Sequence, residues 1–224
     1  MPYLSRRHQL GSTLLYHIFN RGNGLGALFR APQDYQYFIS LLSRYATKHT
    51  VNIYHWVIMP THYHLLLEID EPEKIPSLMA GLARAYAFYY HKKYRTFGHL
   101  WQCRFKSQAL YKQTYLMSCG RYIERKPVQA KMVSFAGDYT YSSASFYLFG
   151  KKDGITAQDP LFAGFGLRST KRRRRYSEFL NSPGLDQDKL FENLESPQGS
   201  KEFLKRLIKE NGLFLPRRRG RARK

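Results

Sequence analysis

Two kinds of hydrophobic pattern alternate along the chain. Compact apolar runs at residues 14–19, 51–59, 62–69 and 105–111 have the length and bracketing turn signals of strands. Between the first two, Tyr35, Phe38, Ile39, Leu42 and Tyr45-Ala46 recur at helical spacing behind Pro32, a residue that fits the first turn of a helix. The breaks at Pro72 and Pro76 precede a second long helix, predicted over residues 77–94. Its aromatic residues Tyr86, Phe88, Tyr89, Tyr90 and Tyr94 are read as a core face in preference to a base-stacking surface. A third helix is predicted with Thr114 as N-cap, ending near Arg125 or Lys126 because Pro127 follows.

The order is β-α-β-β-α-β and then a helix. That is the split βαβ, ferredoxin-like arrangement of an α+β protein. Pro60-Thr61 makes the two middle strands a hairpin. Residues 20–26 form a loop with Gly22, Gly24 and Gly26, a spacing that does not match a dinucleotide fingerprint. After about Gly150 the periodicity weakens. We expect one domain over 1–150 and a basic, partly helical and partly irregular extension over 151–224. In the extension, the run Lys171-Arg172-Arg173-Arg174-Arg175 precedes a short helix. Residues 201–209 form another, with Phe203, Leu204, Leu207 and Ile208 on one face. The arginine-rich tail 217–224 has no apolar face to bury and is expected to be disordered.

Charge narrows the function. The chain has 224 residues, 43% of them hydrophobic, so it can bury a core. Lys and Arg number 37 against 16 Asp and Glu, a formal net charge of +21. Such an excess repels itself unless a polyanion is the partner, and nucleic acid is the leading candidate. No long amphipathic helix with one basic face argues for a membrane surface, and no run reaches the roughly 18 apolar residues of a membrane span. Cys103 and Cys119 are the only cysteines, which excludes a zinc ribbon and argues against a disulfide framework. The polar, basic start has no signal-peptide core, so a cytoplasmic protein is expected.

The candidate chemistry is on the third strand. His62 and His64 are two residues apart, so both rings leave the same face, roughly 7 Å apart along the strand. That pattern suits two ligands of one divalent ion, with the remaining positions open. Glu68 is too far along the strand to complete the site. A divalent ion can polarise a phosphodiester, and a tyrosine can serve as nucleophile. Among 18 tyrosines, composition does not choose one.

A family resemblance chooses. The run Met59-Pro60-Thr61-His62-Tyr63-His64-Leu65-Leu66-Leu67 resembles the signature of the bacterial REP-associated tyrosine transposases, single-tyrosine members of the HUH (His-hydrophobic-His) endonuclease class. Asn20-Arg21-Gly22 after the first strand, residues 98–107 from Gly98-His99-Leu100 to Lys106-Ser107, and residues 121–130 from Arg121-Tyr122-Ile123 to Pro127-Val128-Gln129-Ala130 agree in the same order. The match covers roughly residues 1–150. The resemblance implies that Tyr122 is the nucleophile and that His62 and His64 bind Mg or Mn. It implies a 5′-phosphotyrosine intermediate on hairpin DNA with single-stranded flanks, a monomer, and a nucleoid-associated place in the bacterial cytoplasm. Asn20, Arg21, Arg104, Lys106 and Lys126 become candidate DNA contacts.

The sequence departs from the family at two positions. Thr61 replaces the usual Asn. More consequentially, Lys126 stands four residues after Tyr122, where the family usually carries an amide as third metal ligand. A protonated lysine has no lone pair to donate. Lys126 can instead pair with the scissile phosphate or the phenolate, or point to solvent. It also keeps open a DNA-hairpin-binding protein whose chemistry is weak or lost.

Overall fold

The computed structural model describes residues 15–182, 188–192, 194 and 198–211. The arginine-rich tail lies outside the described residues. Four strands, β1 (Leu15–Arg21), β2 (Val51–Met59), β3 (His62–Ile69) and β4 (Lys106–Ala109), form one sheet in the order β2-β3-β1-β4, every neighbour antiparallel. Helices α1 (Pro32–His49) and α2 (Ile75–Tyr94) supply the crossovers. This is the expected ferredoxin-like α+β order.

Strand alternation sorts side chains into two cores. Tyr16, Ile18, Trp56, Ile58, Tyr63, Leu65 and Leu67 pack with Phe38, Leu42, Leu82 and Tyr86 of α1 and α2. Tyr86 and Tyr90 are buried, as a core reading of the aromatic helix requires, whereas Phe88 is exposed. The opposite face, with Leu15, Val57, Met59 and Leu66, meets Leu116, Cys119, Tyr122 and Ile123 of α3 (Lys112–Glu124). The helix carrying Tyr122 therefore lies on its own sheet.

The strict alternation is broken once. Pairing of β2 with β3 slips between Ile53 and His55, leaving Tyr54 as an extra residue. Such a bulge re-aims side chains. Here it turns both Tyr54 and His55 toward the α3 side, where Tyr54 joins the second core and His55 meets Glu124 at the end of α3.

Several boundaries differ from expectation. Strand β4 covers four residues instead of seven, because only Tyr16 to Phe19 of β1 pair with it. Helix α3 begins at Lys112, not behind Thr114. Tyr111 takes the cap position and its carbonyl accepts from Thr114 and Tyr115. Helix α2 begins two residues early, with Pro76 inside its first turn, where the missing N–H costs nothing. Helix α3 ends before Pro127 as predicted, but the short helix α4 (Lys126–Gln129) follows at once. Gly22 is required by a close approach: a Cβ there would lie 2.7 Å from the Gly26 carbonyl oxygen.

Beyond α5 (Ala144–Phe149) the chain packs back on itself. The basic run is inside helix α6 (Ser169–Asn181), not ahead of a helix, in keeping with the good helix propensity of arginine. Tyr147, Phe162, Tyr176 and Leu180 form a third core between α5 and α6. Two further helices, α7 (Asp188–Glu192) and α8 (Lys201–Asn211), complete the described chain. Phe203 of α8 is buried in the first core. No helix among the described residues is long and apolar enough to cross a membrane.

Candidate active site

The β3 register places His62 opposite Arg21 and His64 opposite Phe19. Cross-strand partners share a face, so the two histidines, Phe19 and Arg21 look toward α3. The His62 and His64 rings have centroids 5.4 Å apart and stand nearly perpendicular. Each is held through Nδ1. The Thr61 hydroxyl lies 3.0 Å from Nδ1 of His62, and Nε2 of His17 lies 2.8 Å from Nδ1 of His64. The residue in the family's usual Asn position thus contacts a candidate ligand through its side chain.

His17 has no counterpart in the sequence reading. It stacks on His64 at 5.1 Å and is fully buried. The available signal was a histidine inside an otherwise apolar strand, two residues before Phe19. Burial, reinforced by the charge of Lys126, lowers the pKa of His17 to about 3 and that of His62 to about 4. His64 is also pushed well down, first by burial and then by His17, His62 and Lys126. All three rings are neutral near pH 7, the form in which imidazole offers a lone pair.

Helix α3 brings Tyr122 to this face. Its ring meets His17 edge-on at 5.9 Å and His64 at 6.0 Å. The tyrosine is only 3% exposed, and Phe191 of α7 packs against it at 5.6 Å. Burial, then the carboxylate of Glu192, pushes its hydroxyl pKa well above the usual value. Lys126 does not point to solvent. Its Nζ sits 3.8 Å from the centre of the Tyr122 ring, and burial lowers its pKa.

Three sets of contacts fix α3. His55 Nδ1 bonds Glu124 at 2.8 Å and its Nε2 bonds Asp159 at 3.0 Å. Ser143 and Tyr176 donate to the same Glu124 carboxylate at 2.6 and 2.7 Å. Gly120 rests on the His55 ring, where a Cβ would come within 2.6 Å. On the outer side, Arg121 donates to the Phe179 and Ser182 carbonyls, and Arg125 to those of Leu180 and Ser182. These arginines satisfy carbonyls left open at the C-terminus of α6. Arg121 also pairs with Asp188 at 3.3 Å. The sequence reading missed His55, Glu124 and this support.

The candidate DNA contacts divide between the two sides of the sheet. Arg21, Lys106 and Lys126 are on the histidine face or its rim, Lys106 pairing across from Phe19. The Arg21 side chain contacts Gln102. Asn20 is almost fully buried on the other face. With Arg104 it lines a cavity of about 1060 Å³, bounded also by Glu73, Met79, Trp101 and Phe105. The structure therefore does not bring all five contacts to one site.

These features, a ferredoxin-like sheet with paired histidines facing a helical tyrosine, are those of the single-tyrosine class. Residues 12–126 match the family model described as "Transposase IS200 like". The match covers more than half of the chain, which belongs to this transposase family. Among solved structures, the chain is similar to a REP-associated tyrosine transposase bound to a REP hairpin. The identity is 18%, the TM-score is 0.50, and 71% of this chain and 93% of that one are covered. A putative transposase from Deinococcus radiodurans is 20% identical with a TM-score of 0.37, covering 56% of this chain and 95% of that one. No curated protein sequence matches the chain.

Proposed function

We propose that the protein is a metal-dependent endonuclease and strand transferase that acts on hairpin DNA through Tyr122. The observation that carries this reading is the convergence of Tyr122 with His62 and His64 on one sheet face, inside a chain of net charge +21. The hydrogen bonds to both rings use Nδ1, which leaves Nε2 of each to bind an ion. Among the described residues no group of three or more His, Cys, Asp or Glu is arranged to hold a metal. His62 and His64 would therefore share Mg or Mn with water and phosphate oxygens. When bound, the ion supplies positive charge to a phosphodiester oxygen.

Attack by Tyr122 Oη forms an O–P bond and breaks the bond from phosphorus to the 3′-oxygen. The proton lost by the phenol balances the one gained by the 3′-hydroxyl. The 5′-phosphotyrosine keeps the bond energy, so a second 3′-hydroxyl can reverse the attack on a new partner. Lys126 places a cation beside the ring that must become a phenolate, opposing the effect of burial. Arg21 and Lys106 would take flanking phosphates. The similar REP-associated transposase was captured on a REP hairpin, which supports a hairpin substrate here. Because α3 packs on its own sheet, tyrosine and histidines come from one chain and a monomer suffices.

A second reading, hairpin binding without chemistry, is favoured by the covered phenol and by Lys126 in place of an amide. Labelled hairpin DNA with single-stranded flanks, incubated with Mn and run on a denaturing gel, separates the two. We expect a covalent protein–DNA adduct that disappears in excess EDTA. Retained hairpin binding with no adduct would establish the second reading, and an adduct undiminished by EDTA would remove the metal. Lys126→Asn should raise Mn affinity about tenfold, because it deletes a charge beside the imidazoles and adds a lone pair. A calorimetric titration showing unchanged or weaker binding would mean that Lys126 acts on phosphate or phenolate instead.

A further inference from the structure

Behind the two candidate metal ligands runs a chain of polar groups that crosses three strands. We infer that His17 and Gln108 are positioning residues that hold His64 in its Nδ1–H tautomer, with the Nε2 lone pair aimed at the metal position. This rests on the metal-dependent reading above for its purpose, but not for its geometry.

The links follow from the sheet register. His17 and Gln108 are direct cross-strand partners between β1 and β4. His17 Nε2 reaches His64 Nδ1 at 2.8 Å, on the neighbouring strand β3. His17, His64 and Gln108 are at most 4% exposed, so solvent does not compete for these atoms. Gln108 is itself oriented, because its Nε2 donates to the Leu190 carbonyl at 2.9 Å. The Gln108 side chain also bonds His17, and that bond favours a proton on the imidazole. A group that does so is an acceptor, which identifies the amide oxygen.

Proton directions then have one consistent solution. Gln108 Oε1 accepts from His17 Nδ1–H. A neutral His17 with its proton on Nδ1 has a lone pair on Nε2 and must accept from His64 Nδ1–H. His64, neutral in turn, has its lone pair on Nε2. The reverse arrangement would put a proton on His64 Nε2 and leave no electron pair for an ion. Fixing a ligand's tautomer through its second nitrogen is how outer groups tune metal sites, and their loss typically costs 10- to 100-fold in affinity. Leu190 lies in α7, so the orienting chain ends in the helix whose Phe191 covers Tyr122.

The test begins without metal. In the full chain with ¹⁵N-labelled histidine, long-range ¹H–¹⁵N correlation spectra should show His64 as the Nδ1–H tautomer. Gln108→Met keeps the side chain's size and removes its acceptor, and should leave His64 as a mixture or shift it to Nε2–H. Gln108→Glu keeps an acceptor and should retain the wild-type tautomer. Mn binding, followed by loss of the free-ion electron paramagnetic resonance signal, should weaken 10- to 100-fold in Gln108→Met and much less in Gln108→Glu. Thermal melting establishes that each variant is folded, and a His17→Asn protein repeats the comparison if Gln108→Met is not. An Nε2–H tautomer of His64 in the wild type, or a tautomer and Mn affinity unaltered in a folded Gln108→Met protein, overturns the inference. If the wild type shows the Nδ1–H tautomer yet binds no Mn, the relay stands and the metal-dependent function fails.

Discussion

A Tyr122→Phe protein is expected to bind hairpin DNA within a few-fold of the unaltered protein and to form no covalent adduct. Only one oxygen is removed. The ring keeps its edge contacts with His17 and His64 and its packing against Phe191, so the fold should change little. The lost oxygen is the atom that would bond to phosphorus, and no neighbouring group on the face replaces it. Tyr115 is the natural impostor, since it precedes Tyr122 by seven residues on α3. It packs edge-on to Phe191 at 6.1 Å and has no ring contact with the histidines among those described. Adduct formation that survives Tyr122→Phe and vanishes in Tyr115→Phe would reassign the nucleophile.

His55→Ala should destabilise the fold by about 3–5 kcal/mol, the usual cost of stripping one partner from a buried ion pair. Glu124 and Asp159 would be left facing each other in a fully buried space. Burial alone would lower the pKa of His55, but the charges and hydrogen bonds of Glu124 and Asp159 overcome it and raise the value from 6.5 to about 9. A raised pKa stabilises the folded state fully below the unfolded value. That contribution fades as pH climbs through about 9. It is on the order of 3 kcal/mol, at roughly 1.4 kcal/mol for each pH unit between the two values. Urea unfolding of the wild type should therefore weaken between pH 7 and 10, while the His55→Ala protein lacks that decline. Equal alkaline losses in both proteins would show that His55 is not the protonated group.

The parts of the site that were legible in the sequence are local. His62 and His64 are two residues apart on a strand, so alternation alone puts them together, and Pro60-Thr61 announces the hairpin. Tyr122 was identified by resemblance and by its offset from Pro127, not by periodicity. The supports were hidden because they join distant segments. His55 meets Glu124 across 69 residues and Asp159 across 104, and no pattern within a strand reports such a contact. The bulge at Tyr54 adds to this, since it turns His55 to the face that strict alternation assigns to its neighbour. Thr114 resembled an N-cap by residue type, but hydrogen bonding to Tyr111 begins the helix earlier. The division of Asn20 and Arg21 between opposite faces follows from their adjacency on β1, which the motif reading treated as a loop.

The arginines that cap α6 bear on how salt acts. Arg121 and Arg125 bracket Tyr122 in sequence, yet their donors are committed to the carbonyls of Phe179, Leu180 and Ser182. The attraction that draws DNA inward must then come mainly from cations on the rim, whose reach shrinks to about 10 Å at 0.1 M salt. Inside, the tyrosine feels a short-range field from Lys126, sheltered from mobile ions by the same packing that buries the ring. Capture and bond exchange thus fall under separate control by ionic strength. Moderate salt slows the encounter while leaving the rate of the bound complex nearly untouched, so a cell's ionic conditions set how often the nuclease is loaded and not how fast it cuts.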